Sequence, residues 1–208
     1  MARMRSFAII PAAGRSQRMG QPKLLLPWRN STVIEHVLAA WRASQVSRVL
    51  MVVHPTDHQL AEIGQNGGVL VIQPEIPPSE MKVSVRLALD YLKEQLQPRA
   101  SDAWLVAPAD LPDVRTDTID RVISAYAASL HGTPLATRIW APTCAGRRGH
   151  PVLFPWPLAE QVERLADDEG INALLSQNPV ELVEVESLGD DDLDTPEDYE
   201  RLRAQDRG

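Results

Sequence analysis

Short apolar runs alternate along this chain with longer stretches in which apolar residues recur every three or four positions. SFAIIP (6–11), RVLMVV (48–53), VLVIQ (69–73) and AWLVAP (103–108) are nearly continuous hydrophobic segments, the pattern of strands covered on both faces. Between them, STVIEHVLAAWRAS (31–44) sets Val33, Ile34, Val37, Leu38 and Trp41 on one helical face, and MKVSVRLALDYLKEQLQ (81–97) repeats the spacing with Val85, Leu89, Leu92 and Leu96. Residues 57–65 and TDTIDRVISAYAASL (116–130) predict two further helices. Alternation of this kind predicts a doubly wound α/β sheet with right-handed crossovers. After residue 131 the pattern loosens. PLATRIWAP (134–142) and ELVEVES (181–187) predict strands, INALLSQ (171–177) a short helix and TPEDYERLRAQ (195–205) a closing helix. No internal repeat or long linker divides the 208 residues, so one domain over 1–208 is expected.

Composition narrows the class. A net charge of -7 argues against a nucleic-acid-coating protein, whose surface must attract the phosphate backbone. The charge is unevenly placed: no acidic residue precedes Glu35, whereas Arg3, Arg5, Arg15, Arg18, Lys23 and Arg29 all do. A basic entrance on an acidic protein suits a small polyanion. The single Cys144 excludes an intramolecular disulfide and fits a reducing compartment. The opening MARMRSFAIIPAAG has a basic start, but its apolar segment is short, broken by Pro11 and followed by Arg15, which does not suit a signal peptide. No segment reaches the roughly 18 apolar residues of a membrane span. A cytoplasmic protein without a membrane partner is expected.

In doubly wound sheets ligands bind beyond the carboxyl ends of the strands, and three polar motifs fall there. The first, AAGRSQRMGQPK (12–23), follows the first strand. Small residues leave its backbone amides open to phosphate oxygens, and Arg15, Arg18 and Lys23 are staggered enough to surround a triphosphate. It is neither GxxxxGK[ST] nor GxGxxG, so the common P-loop and dinucleotide fingerprints fail. The second is Asp110 in LVAPADLP. A carboxylate there suits Mg²⁺, which takes one or two carboxylates plus substrate phosphates, though Asp is also a favoured turn residue. The third is GDDDLDTPEDY (189–199). Thr195, Pro196 and Asp198 read as N-cap, N1 and N3 of a helix, while Asp192 and Asp194 alternate ahead of it on one side of an extended segment. Those two would complete a metal site, orient an acceptor or simply face solvent. GRRGHPVLF (146–154) carries His150 ahead of a strand-like run, and QPEIPPSEMKVSV (73–85) leads into a helix whose N-terminus would welcome an anion.

Taken together, these motifs resemble the MobA-like nucleotidyltransferase superfamily, and within it the MocA-type molybdenum cofactor cytidylyltransferases. The resemblance is carried by AAGRSQRMGQPKLLLP, PADLP for the family's G-D-Q-P, GRRGHPVLF for its G-H-P segment, DDEGINALL (167–175) and DLDTPEDY, in the family's order across nearly the whole chain. It implies a Rossmann-like, mixed but mostly parallel sheet of the nucleotide-diphospho-sugar transferase type. It implies an NTP held by Ala12, Ala13, Gly14, Arg15, Arg18 and Lys23, with Gln73 and Ser79 beside the base. Asp110 with Asp194 or Asp192 would hold Mg²⁺, His150 would meet the acceptor, and Arg18, Lys23 and Asp110 would carry catalysis. Ala13 leans toward a pyrimidine nucleotide, hence CTP. The expected partners are the NTP, a phosphorylated small-molecule acceptor such as molybdopterin or the molybdenum cofactor, and a molybdoenzyme client. The chain departs from the family at 79–84, where Ser-Glu-Met-Lys-Val-Ser replaces E-G-M-S-x-S and sets Glu80 and Lys82 where small residues usually meet the nucleotide. Two rival readings follow: a nucleotidyltransferase for another acceptor such as a sugar phosphate, or a non-catalytic carrier of the cofactor.

Overall fold

The computed structural model describes residues 3–16, 19–130, 137–189 and 193–206. In chain order its elements are β1 (Ser6–Ala12), a 3₁₀ turn (Lys23–Leu25), β2 (Pro27–Trp28), β3 (Ser31–Thr32), α1 (Val33–Ala43), β4 (Arg48–Val53), α2 (His58–Asn66), β5 (Leu70–Ile72), α3 (Met81–Leu96), β6 (Ala103–Val106), α4 (Thr116–Ser129), β7 (Ile139–Cys144), β8 (Arg147–Arg148), β9 (Val152–Pro155), α5 (Ala159–Glu163), α6 (Ala173–Gln177), β10 (Val180–Glu184) and α7 (Pro196–Asp206).

β1 shows why these strands read as continuous hydrophobic runs. Ala8, Ile10 and Ala12 pack into one core with α1, α2, α4 and α7, while Phe7 and Ile9 pack into a second core with α3, α5 and α6. Successive side chains point to opposite faces, and both faces are covered by helices, so neither set can be polar.

The main sheet runs β10-β7-β9-β6-β1-β4-β5, with β8 hairpinned onto β7. β1 is parallel to β4 on one side and β6 on the other. The chain winds outward from β1 through β4 to β5, and α3 then crosses back to place β6 against β1. The strand order therefore reverses between β1 and β6, which opens a crevice at their carboxyl ends. β9 is antiparallel to both β6 and β7, so the start of β9, not its end, lies at that rim.

The predicted helices lie in place. The one expected over 31–44 begins at Val33, because Thr32 and Glu35 form a reciprocal capping box and Ser31–Thr32 instead pairs with Pro27–Trp28 as a small hairpin. The strand expected over 134–142 is Ile139–Cys144, with 134–136 outside the described residues, and that over 181–187 is Val180–Glu184. The short α5 has no counterpart in the periodicity. Among the described residues no helix is long and apolar enough to cross a membrane.

Candidate functional site

The loop after β1 closes on itself before it meets the rest of the site. Met19 N–H donates to the Ser16 carbonyl at 3.0 Å, and Lys23 N–H to Ser16 Oγ at 3.4 Å. Ser16 and Gly20 take positive φ, and Lys23 opens the 3₁₀ turn that follows. Its ammonium donates to Asp110, from the turn after β6, and to Asp194 Oδ1 at 3.2 Å.

The two carboxylates converge because their backbones touch. Leu193 N–H donates to the Asp110 carbonyl at 3.3 Å, and Leu193 is fully buried. On the other side of Asp194, Thr195 and Asp198 cap α7 reciprocally, with Thr195 Oγ1 donating to Asp198 at 2.7 Å and Asp198 N–H donating back at 3.2 Å. Tyr199 Oη then donates to the Pro27 carbonyl at 2.6 Å and pins α7 onto the β2–β3 hairpin.

Lys23 and Asp110 are 17% and 13% exposed in their side chains, and Asp194 is 35% exposed. Burial by itself would lower the Lys23 pKa. The hydrogen bonds and negative charges of Asp110 and Asp194 outweigh it and raise the pKa above the usual lysine value. The ammonium is therefore firmly charged, and it compensates two anions at the rim of the sheet.

Beside this trio opens a cavity of about 660 Å³ lined by Ala13, Gly14, Arg15, Lys23, His54, Pro77, Ser79 and Asp194, among others. Of the residues expected to hold a nucleotide, Ala13, Gly14, Arg15, Lys23 and Ser79 line it. Arg18 and Asp192 lie outside the described residues. Ala12 is a buried strand residue paired with Val53. Gln73 is turned elsewhere: its Nε2 donates to the carbonyls of His54 and Pro55, each at 3.3 Å, and of Asp57 at 3.5 Å. His150 sits at the start of β9, where Val152 pairs with Val106 at the end of β6, and is not among the residues lining the cavity.

Two further findings were not legible in the motifs. His54, at the end of β4, is 8% exposed and accepts from Arg15 through Nε2. Lys82 is 4% exposed and is not among the residues lining the cavity. Its ammonium donates to the Ala166 carbonyl at 2.6 Å and the Asp167 carbonyl at 3.1 Å, and lies 3.6 Å from Glu80. Two carbonyls accept from the ammonium, and the Glu80 carboxylate balances its charge as an ion pair.

The mixed, mostly parallel sheet with a crevice at its switch point is the nucleotide-diphospho-sugar transferase fold, and the class of protein is a nucleotidyltransferase. The MobA-like NTP transferase domain matches residues 8–183, and the chain belongs to that family. Purine catabolism protein PucB of Bacillus subtilis is 27% identical over 213 residues, 95% of each chain. The crystal structure of Rv0371c from Mycobacterium tuberculosis superposes with a TM-score of 0.79 at 27% identity, covering 98% of this chain and 100% of that one. A complex of Rv0371C with manganese superposes at 0.76, also at 27% identity, covering 97% and 99%. The 2-C-methyl-D-erythritol 4-phosphate cytidylyltransferase of Cereibacter sphaeroides is 48% identical over 62 residues, 28% of each chain.

Proposed function

We propose that this protein is a Mg²⁺-dependent cytidylyltransferase of the MocA type, moving CMP from CTP to a phosphate of molybdopterin or the molybdenum cofactor and releasing pyrophosphate. An acceptor phosphate oxygen forms a bond to the α-phosphorus as the bond from that phosphorus to the bridging oxygen breaks. The electron pair leaves with pyrophosphate. A phosphate nucleophile is already deprotonated near neutral pH, so the chain needs no general base. Its work is positioning and charge compensation.

The observation that carries this reading is the Lys23 ammonium between Asp110 and Asp194 at the edge of the cleft that Ala13, Gly14 and Arg15 line. Two carboxylates from distant segments that share one cation form the donor set Mg²⁺ prefers, with room left for phosphate oxygens. Asp110 and Asp194 would hold the ion, which would offset charge on the triphosphate and the departing pyrophosphate. Lys23 and Arg15 then offer their donors to the phosphates, with the amides of Ala13 and Gly14. The preference for CTP draws on Ala13 and on the similarity to a cytidylyltransferase.

That same similarity favours one rival, an acceptor that is a simpler phosphorylated alcohol or sugar phosphate. The carrier reading loses its main support, since Lys82 does not intrude on the cleft. The test is pyrophosphate release from each of CTP, GTP, ATP and UTP with Mg²⁺, in separate reactions with molybdopterin, the molybdenum-loaded cofactor, 2-C-methyl-D-erythritol 4-phosphate and a set of sugar phosphates. Release with CTP and a molybdopterin acceptor is expected. Release with a sugar phosphate alone would move the assignment to the rival, and a folded protein inert with every pair would overturn transfer altogether.

A further inference from the structure

We propose that His54 is the positioning residue for Arg15, and that the end of β5 sets Arg15's pose in the nucleotide cleft through it. The inference rests on reading that cleft as an NTP site.

Arg15 Nε and Nη2 both reach His54 Nε2, at 3.3 and 3.0 Å. A guanidinium only donates, so Nε2 must supply a lone pair and the ring proton sits on Nδ1. Nδ1 lies 2.9 Å from Thr56 Oγ1, which accepts from it in this tautomer. The Thr56 amide, 3.2 Å from Nδ1, could donate to the ring only in the other tautomer, in which the Arg15 contact is lost.

The turn that presents His54 is itself gripped. Gln73, just past β5, donates to the carbonyls of His54, Pro55 and Asp57, and Asp57 caps α2 by accepting from Leu60 N–H at 3.0 Å. The ring therefore has little freedom, in contrast to the exposed Arg15 that depends on it.

Arg15 and His54 also form a shared wall. Together with Gly14 and Ser16 they line both the main cavity and a second one of about 390 Å³ against Leu24, Leu25 and Leu60. Without His54 the guanidinium is free to swing away along either side. Two of its five N–H groups are committed to the ring, which leaves three for a ligand. A long cation held in one pose before its anion arrives loses less freedom on binding. His54 thus acts on nucleotide affinity through Arg15, and Gln73 acts through His54.

A double-mutant cycle on CTP–Mg²⁺ affinity, measured by calorimetry without acceptor, tests this. H54A is expected to weaken CTP about 3- to 10-fold. H54Q, whose side-chain carbonyl still accepts, should recover most of the loss, and adding H54A to R15A should change affinity less than twofold. Additive losses in the cycle, or an H54A protein that binds CTP like wild type, would overturn the proposal. Long-range ¹H–¹⁵N NMR of the unliganded wild type supplies a readout that needs no variant to fold: an unprotonated His54 Nε2 is expected, and the Nε2-protonated tautomer would overturn it. A wild-type protein that binds none of the four NTPs would sink the nucleotide reading and this role with it. Wild type that binds CTP but fails the cycle sinks the role alone.

Discussion

The ammonium of Lys23 is hydrogen-bonded to Asp110, 87 residues further along the chain, in a half-enclosed site at the carboxyl ends of two adjacent strands. That contact joins the small-residue loop after β1 to the carboxylate after β6, and most of what can be tested follows from it.

Asp110→Asn removes the charge and keeps the shape. Turnover is expected to fall by about 10²-fold or more, while the circular dichroism spectrum remains native-like and the melting temperature falls, because the largely buried Lys23 loses the charge of one carboxylate partner. A steady-state pyrophosphate assay at saturating Mg²⁺ checks it. An Asp110→Asn enzyme of near-normal rate would remove Asp110 from the metal site.

Gly189 crosses the Asp113 segment with φ +61, and an added Cβ would sit 1.9 Å from the Asp113 carbonyl oxygen. Gly189→Ala must therefore displace the backbone that leads to Asp194. A loss of about 2 kcal/mol or more in urea unfolding is expected, together with a weakened Mg²⁺ dependence of turnover. A Gly189→Ala protein of unchanged stability would mean that the Asp113 backbone yields to a methyl group at no cost.

Lys82→Met keeps most of the side-chain volume but leaves the Ala166 and Asp167 carbonyls without their donor. The expected cost is about 1–3 kcal/mol of stability, with the KM for CTP essentially unchanged. A several-fold rise in that KM at normal stability would return Lys82 to the nucleotide.

Alkaline pH should destabilise the fold through two groups of the same sign. Burial, with a smaller effect from the Asp102 charge, pushes the Tyr126 phenol up to about 12, and the carboxylates hold Lys23 above its usual value. Between about pH 10 and 12 the native state keeps protons that the unfolded chain releases, so stability falls as pH rises. Chemical unfolding across that range, with ultraviolet titration of tyrosinate, measures the effect. Tyr126→Phe should remove this phenol and flatten the decline.

Local chemistry was legible from the residues alone. Strands appear as continuous apolar runs because helices cover both faces of the sheet, and helices show the 3.6 period because one face meets the sheet and the other water. The cap at Thr195–Asp198 lies within one turn and needs no knowledge of the fold. The loop at 12–23 declared its taste for anions by small residues and crowded cations.

Partner choice was not legible. Gln73 and Lys82 both looked like nucleotide contacts by position, yet one grips the turn at 54–57 and the other the loop at 166–167. Nothing near His54 in sequence marks it as a support for Arg15. The selection of Asp194 for Lys23, 171 residues apart, depends on the strand order, on the antiparallel insertion of β9 and on α7 docking onto Pro27. Those are long-range packing outcomes, decided by which elements bury one another's apolar faces, and a one-dimensional pattern carries the tendency to form each element without the address of its neighbour.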